Sequence, residues 1–270
     1  MNLSIAIPDS SLSDEALKLE KTRKIGEIAR ACAIFRVNNI FIYQDGSNKD
    51  DRNLMLLIFK YLDTPQFLRK RLFPKMNELK FAGVLHPLKI PSHITPADAK
   101  KIKKGDVREG IIVSFKGRKF VDVGINQLVQ YFGHDNIGKR TTIQFKKGYP
   151  NFEVKPITRD EAPSYWGFSV KERANLFSLI SEWKGLTIIT SKKGKTVTKE
   201  QISKFSNSTE SNLIVFGSPQ KGVHQILGGK MSSLQNSKTL NFFPNQATET
   251  VRLEEAILGT LSIINAYSSK

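Results

Sequence analysis

The stretch KIGEIARACAIFRVNNIFIY, residues 24–43, joins an amphipathic helix to a short apolar strand. The apolar side chains of its first half recur at spacings of three, four and three residues, at Ile25, Ile28, Cys32 and Phe35. This spacing gives the helix one apolar face. The run IFIY at 40–43 has no alternating polar residues, as in a strand that is buried on both faces of its sheet. A helix followed at once by such a strand is typical of an α/β fold with a parallel sheet.

The same alternation of helices and apolar strands recurs at both ends of the chain. LSIAI at 3–7, LTIIT at 186–190 and NLIVF at 212–216 are predicted strands. The helix that contains residues 24–35 is expected to begin at Ser13, with acidic residues in its first turn. The stretch VKERANLFSLISEW at 170–183 has helical spacing and is predicted to form a second helix.

The middle of the chain has a different pattern, because no long helical period is found between about Gly83 and Ala162. Short β-like runs with Gly and Pro between them lie at 109–115, 119–124, 128–132 and 140–145. Closely spaced strands of this kind fit a small OB-like barrel, which often binds single-stranded nucleic acid. The sequence therefore predicts a discontinuous α/β domain, 1–83 with 162–270, and an inserted OB-like RNA-binding domain, 84–161.

The charge balance points to a polyanionic partner. The chain has 42 Lys and Arg against 25 Asp and Glu, a net charge of +17. Nucleic acid is the favoured partner and an anionic membrane the second, but no basic amphipathic helix supports membrane binding. The basic residues expected to contact RNA phosphates are Lys100, Lys101, Lys103, Lys104, Lys116, Arg118 and Lys119. The aromatic residues that either stack on bases or fill the barrel core are Phe115, Phe120, Tyr131 and Phe132.

Several classes of protein have no support in the sequence. No run of 18 apolar residues predicts a membrane span, and no basic n-region suggests a signal peptide. A single cysteine, Cys32, fits a reduced, cytoplasmic protein. No metal site is expected, because the four histidines lack ligand spacing. Dinucleotide, Walker A and G-x-S-x-G motifs are absent, and GGKMSS at 228–233 is interpreted as a polar loop.

Three loops remain as a candidate site, because each follows an apolar strand. They are TSKKG at 190–194, FGSPQKG at 216–222 and FFPNQATET at 242–250. Ligands of open parallel sheets bind beyond the carboxyl ends of the strands. Gly217 is expected to permit close approach of a ligand, although each loop taken alone could be a plain connector.

Five stretches resemble the SPOUT superfamily of RNA methyltransferases, and within it the archaeal and eukaryotic branch that methylates uridine N3. They are residues 24–43, GRKFVDVG at 117–124, YWGFSVK at 165–171, IVFGSPQKG at 214–222 and PNQATETVRLEEAILGTL at 244–261. The resemblance implies an α/β domain with a deep C-terminal trefoil knot and an inserted OB-like domain. It also implies S-adenosylmethionine as methyl donor, RNA as substrate, with ribosomal RNA first, and a homodimer.

The resemblance also implies the residues of the site. The loop before the last helix would wrap the cofactor, with walls at Thr190, Ser191, Gly217, Ser218, Phe242, Phe243, Pro244, Asn245, Gln246, Val251 and Leu253. One of the two phenylalanines is expected to be core. Arg30 and Arg252 are the candidate catalytic residues, because an arginine can stabilise negative charge on the uracil oxygens.

Two departures from related ribose methyltransferases bear on the chemistry. Those enzymes carry Asn-x-Gly-x-x-x-Arg where this chain has Lys24 two residues before Gly26, with Arg30 retained. They carry Ser-Leu-Asn where this chain has Thr250-Val251-Arg252. The loss of both amides argues against ribose 2′-OH chemistry. A ribose methyltransferase and a catalytically silent RNA-binding assembly factor remain the alternatives.

Overall fold

The computed structural model describes residues 2–46, 49–93, 97–206 and 211–268. The chain divides into two compact units. The first unit consists of Met1–Leu62, Asn77–His86 and Phe168–Lys270, and the second of Asp63–Met76 with Pro87–Gly167. The second unit thus includes a segment before residue 84 as well as the predicted insertion.

The first unit is built from alternating strands and helices. Its strands are β1 (Asn2–Pro8), β2 (Asn39–Tyr43), β8 (Ser169–Arg173), β9 (Thr187–Thr196), β10 (Ser211–Val215) and β11 (Ser237–Asn241). Its helices are α1 (Lys18–Ile34), α2 (Lys49–Asp63), α4 (Leu176–Ser181), α5 (Lys199–Ser206), α6 (Val223–Leu227) and α7 (Leu253–Tyr267).

These strands form one six-stranded sheet in the order β11-β9-β10-β1-β2-β8. Every neighbouring pair in it is parallel. The central strands β1, β2 and β10 are almost completely buried, which explains their continuous apolar runs. The prediction of an α/β fold with a parallel sheet is confirmed.

Two predicted helix boundaries are wrong. Helix α1 begins at Lys18 and has Leu17 as its N-cap, while the Ser13 amide donates to the Ser10 carbonyl in a turn. Residues 169–173 form β8 and pair with β2, so only the second half of the predicted 170–183 helix is helical. The Asn175 side chain accepts from the Ser178 amide and starts α4 there.

The second unit is a curled, five-stranded antiparallel sheet with one helix, α3 (Gln66–Leu72). Its strands are β3 (Val107–Phe115), β4 (Arg118–Asp122), β5 (Val129–Gln130), β6 (Arg140–Lys147) and β7 (Glu153–Ile157), in the order β5-β4-β3-β6-β7. The prediction that the middle of the chain consists of short strands is confirmed. Its apolar core includes Ile112, Val121, Ile143 and Phe145.

A buried ion network lies beside this core. Asp63 accepts from Arg140 at 3.0 Å and from Arg159 at 2.7 Å. Arg140 also contacts Glu109 at 2.5 Å, and Glu109 accepts from the Trp166 indole at 2.6 Å. These contacts attach the segment that begins at Asp63 to the strands of the same unit. The two arginines therefore have a structural role and are not part of the proposed RNA-contacting set.

Candidate active site

A cavity of about 640 Å³ lies in the first unit, at the carboxyl ends of β10 and β11 and beside the middle of β9. It is lined by the loops after β10 and β11 and by the segment 190–194, which was predicted to be a loop after a strand but lies inside β9. We call it the three-loop cavity. Ten of the predicted site residues lie in its wall: Thr190, Ser191, Gly217, Ser218, Phe242, Phe243, Gln246, Val251, Arg252 and Leu253. Pro244 and Asn245 lie in the third loop but outside the lining, and Arg30 lies in α1, also outside it.

The first wall is an interruption inside a strand. Residue Thr239 of β11 pairs with Ile189 of β9, but the next residue, Leu240, pairs with Lys195. The five residues between these pairs therefore leave the ladder and form the wall at 190–194. The Thr190 hydroxyl donates to the Val215 carbonyl at 2.9 Å, which fixes the start of this segment to the neighbouring strand.

The second wall is a tight turn after β10. The Ser218 amide donates to the Lys221 carbonyl, and the Lys221 amide donates to the Ser218 hydroxyl, both at 2.9 Å. A Cβ at Gly217 would lie 2.9 Å from that same Lys221 carbonyl oxygen. The turn therefore occupies the space that a side chain at Gly217 would need. Close approach of a ligand to Gly217 stays a prediction.

The third wall is a loop that hydrogen bonds to itself. Asn245 has a φ of 63°, and the Gln246 amide donates to the Phe243 carbonyl at 3.3 Å. The Gln246 side chain donates to the carbonyls of Thr248 and Glu249. Phe242 is only 4% exposed and belongs to the core, as expected of one of the two phenylalanines. These contacts give the wall a defined shape without any ligand.

The floor of the cavity contains an unsatisfied hydroxyl. Thr260 of α7 is completely buried and lines the cavity. Its Oγ1 has no hydrogen-bond partner among the residues that the structure describes. A buried hydroxyl without a partner costs free energy, so a polar group of a ligand would stabilise it. The apolar side chains of Phe216, Phe242 and Leu253 provide the remaining surface that a flat ring system requires.

A buried ion cluster connects the cavity to α1. The Lys24 ammonium contacts Asp14 at 2.6 Å and Glu254 at 3.4 Å, and its side chain is 2% exposed. Asp14 lines the cavity, and Glu254 lies in the first turn of α7. We call Asp14, Lys24 and Glu254 the acid–lysine cluster. Asp14 was not predicted from the sequence as a site residue. The signal for it was Lys24, a charged residue directly before Ile25 on the buried side of α1, which requires an acidic partner.

Arg252 lies at the mouth of the cavity and is loosely paired. Its Nη1 is 3.5 Å from Glu15 and 4.0 Å from Glu254, and the side chain is 63% exposed. Only the Arg252 backbone amide contacts Glu255, at 3.0 Å. The guanidinium can therefore turn toward a bound substrate at little cost.

The predicted RNA-contacting residues lie in the second unit. Lys100 and Lys101 end a short 3₁₀ helix, and Lys103 and Lys104 follow it, all four exposed. Lys116 and Arg118 are exposed at the turn between β3 and β4. Lys119 differs from the others, because its ammonium donates to the Asp135 carbonyl at 2.8 Å. Of the predicted aromatic residues, Tyr131 is core at 3% exposure, whereas Phe115 and Phe132 are 49% and 77% exposed.

No helix in the described part of the chain is long and apolar enough to cross a membrane. Among the described residues, no group of three or more His, Cys, Asp or Glu side chains is placed to hold a metal ion.

Comparison with known proteins gives the chain a family. Residues 2–264 match the family described as "Putative RNA methyltransferase". An uncharacterized protein of Halobacterium salinarum is 30% identical over 97% of this chain and 98% of its own. The 28S rRNA (uridine-N(3))-methyltransferase of Homo sapiens is 30% identical over 97% of this chain and 77% of its own. The Drosophila melanogaster protein of the same name is 26% identical over 97% of this chain and 61% of its own. The chain belongs to this family of RNA methyltransferases.

Proposed function

We propose that this protein is a SPOUT-type methyltransferase that transfers a methyl group from S-adenosylmethionine to N3 of a uridine in ribosomal RNA. The observation that carries the proposal is the three-loop cavity, formed by the walls that the resemblance assigns to the cofactor. Family membership supports the reaction class. The names of the human and fly relatives support uridine N3 as the acceptor and ribosomal RNA as the substrate.

The residues of the cavity fit this cofactor. A volume of about 640 Å³ is in the usual range for a ligand of this size. The Thr260 hydroxyl has no partner among the described residues, and the walls combine backbone groups with apolar side chains. The residues that would hold the cofactor are Thr190, Ser191, Gly217, Ser218, Phe242 to Gln246, Val251 and Leu253. When bound, S-adenosylmethionine supplies a sulfonium methyl group as electrophile.

The chain's own contribution to the chemistry is electrostatic. N3 of uridine carries a weakly acidic imide proton, which must pass to solvent water or hydroxide before the nitrogen can accept a methyl group. Negative charge then develops on the two flanking carbonyl oxygens. A guanidinium placed beside them stabilises that charge without accepting the proton. Arg252 at the cavity mouth is one candidate, and Arg30, which is retained from the motif of the related ribose methyltransferases, is the other.

The architectural part of the proposal extends the observed fold. It includes a C-terminal trefoil knot, with 1–83 and 162–270 as the methyltransferase domain and 84–161 as an OB-like insertion that binds RNA. It also includes a homodimer, in which Arg30 and Arg252 can come from different subunits. The parallel sheet of the first unit and the curled antiparallel sheet of the second support it.

Two measurements test the function. Isothermal titration with S-adenosylmethionine separates a methyltransferase from a silent RNA-binding protein, for which no heat of binding is expected. Nucleoside mass spectrometry of reacted RNA separates 3-methyluridine from 2′-O-methylated products. Absence of cofactor binding, or ribose methylation alone, would overturn the proposal.

A further inference from the structure

One face of the antiparallel sheet carries aromatic side chains in register. Phe115 of β3 is paired with Arg118 of β4, and Val113 is paired with Phe120. Phe120 is paired in turn with Gln130 of β5. Directly opposed residues of antiparallel strands project from the same face of a sheet. Phe115, Arg118, Phe120 and Gln130 therefore share one face.

The exposed Phe132 extends this face. The Tyr131 amide donates to the Lys119 carbonyl at 3.0 Å, which continues the register of β4 and β5 by one residue. Phe132 is the next residue and lies beyond the end of β5. Phe115 and Arg118 form one cross-strand pair, Val113, Phe120 and Gln130 form the neighbouring row, and Phe132 follows Gln130 by two residues. We call these six residues the aromatic face.

The aromatic face is the outward side of the sheet at this end. Ile112, Val121 and Tyr131, which alternate with its members along the strands, are buried in the core. Farther along the same side of β3, Glu109 is covered and bonded to Trp166 and Arg140. Phe115 and Phe132 remain 49% and 77% exposed. Phe115 and Phe132 are therefore surface side chains, Phe120 is half-buried beside them, and exposed aromatic rings grouped in this way indicate a binding surface.

The charge around the rings identifies the kind of partner. The Lys116 ammonium lies 5.5 Å from the centre of the Phe115 ring, and Arg118 is the cross-strand partner of Phe115. Residues 84–161 contain 15 Lys and Arg against eight Asp and Glu. A partner that is both anionic and rich in flat rings satisfies both features. Nucleic acid has this combination, and its bases stack on aromatic side chains when they are unpaired.

We propose that the aromatic face binds single-stranded RNA, with unpaired bases stacked on Phe115 and Phe132 and phosphates held by Lys116 and Arg118. This rests on the proposed function, which makes RNA the substrate. Duplex RNA does not satisfy the site, because its bases present only their edges to a protein.

The test compares RNA binding by matched variants of the full chain. The double variant Phe115→Ala/Phe132→Ala removes both rings. Tyr149→Ala is the control, because Tyr149 is 48% exposed in the same unit but outside the aromatic face. The probes are a labelled single-stranded 12-nucleotide uridine-rich RNA and a duplex that contains the same strand. Fluorescence anisotropy gives Kd for each over a series of KCl concentrations.

The rings should contribute affinity that does not depend on salt. The double variant is expected to bind the single strand about 30-fold more weakly, with an unchanged slope of log Kd against log salt. Its affinity for the duplex should change less than about twofold. The variant Lys116→Ala/Arg118→Ala should instead reduce the salt slope by about 1 to 2. Tyr149→Ala should match the wild type in every measurement.

Three results would overturn the inference. The first is equal single-strand affinity of the double variant and the wild type, and the second is equal weakening for single strand and duplex. The third is a lower molar mass of the double variant by light scattering, which would make the face a contact between two copies. Methyl transfer by the wild type is measured in parallel. Its absence, with the single-strand effect present, would reject the proposed function and keep the RNA-binding face.

Discussion

The Lys24 ammonium lies 2.6 Å from both carboxylate oxygens of Asp14, with the lysine side chain 2% exposed. Burying a lysine is costly unless carboxylates compensate it closely. The third member of the acid–lysine cluster, Glu254, belongs to the helix that carries Leu253 and Thr260 into the cavity wall. The cluster thus fixes α1, the segment before it and the start of α7 around one site.

Breaking this cluster should destabilise the protein. Lys24→Met leaves Asp14 without its cation and Glu254 with only Arg252 at 4.0 Å. Because the Asp14 side chain is 28% exposed, the loss should be about 2 kcal/mol, below the usual cost of breaking a fully buried pair. Arg23→Met is the matched control, because Arg23 is an exposed cation on the same helix; its effect should stay within about 0.5 kcal/mol. Urea unfolding measures the free energy of unfolding of both variants. Equal midpoints for Lys24→Met and the wild type would show that the cluster contributes nothing to stability.

The turn after β10 should tolerate a methyl group at one glycine and not at another. A Cβ at Gly217 meets backbone at 2.9 Å, whereas a Cβ at Gly222 meets only the Gln225 side chain at 4.0 Å. Overpacking of this kind costs about 1–3 kcal/mol, so Gly217→Ala should weaken S-adenosylmethionine binding about tenfold or more. Gly222→Ala should bind within about twofold of the wild type. Titration calorimetry measures the affinity of each variant for S-adenosylmethionine. Similar losses of affinity in both variants would reject a role of this turn in cofactor binding.

Cys32 should be unreactive in the folded protein. Its side chain is completely buried in α1, and this burial raises the pKa of its thiol. The reactive thiolate is therefore scarce at neutral pH, and reagents reach it only after opening of the helix. Labelling with a chromogenic disulfide should be slow without denaturant and should reach one thiol per chain in guanidinium. Rapid labelling of the native protein at pH 7.5 would contradict the packing of α1.

The arginine mechanism predicts a rate loss that alkali can reverse. Arg252→Ala and Arg30→Ala should each lower single-turnover methyl transfer by about 10²–10³ at saturating cofactor and RNA. The loss should shrink as the pH rises, because the uracil imide then ionises without assistance. Arg23→Ala, on the same helix as Arg30, is the control and should match the wild type. If both site variants transfer methyl groups at the wild-type rate, the arginines have no part in the chemistry.

The parallel sheet could be predicted because β1, β2 and β10 are buried on both faces and their sequences are continuously apolar. The helix predicted at 170–183 failed for a reason outside its own residues. The edge of β2 offers unpaired backbone groups, and pairing with them overrides the helical spacing of 169–173. Local sequence carries no information about such a neighbour.

The candidate site was predictable where it depended on loops after strands. Their positions followed from the strands, and all three loops line one cavity. Asp14 was not found, because its place in the wall depends on a contact with Lys24 ten residues away. The shared face of Phe115, Arg118 and Phe120 was also hidden, because strand register decides which side chains share a face. Sequence alone left each aromatic residue undecided between core and surface.

The most direct test of the proposed function is methyl transfer from labelled S-adenosylmethionine to total ribosomal RNA and tRNA, followed by nucleoside mass spectrometry. With the wild-type protein we expect labelled 3-methyluridine in ribosomal RNA, and with Arg252→Ala a strongly reduced amount. Label found only in 2′-O-methylated nucleosides, or no label in any RNA although the protein binds the cofactor, would contradict the proposed function.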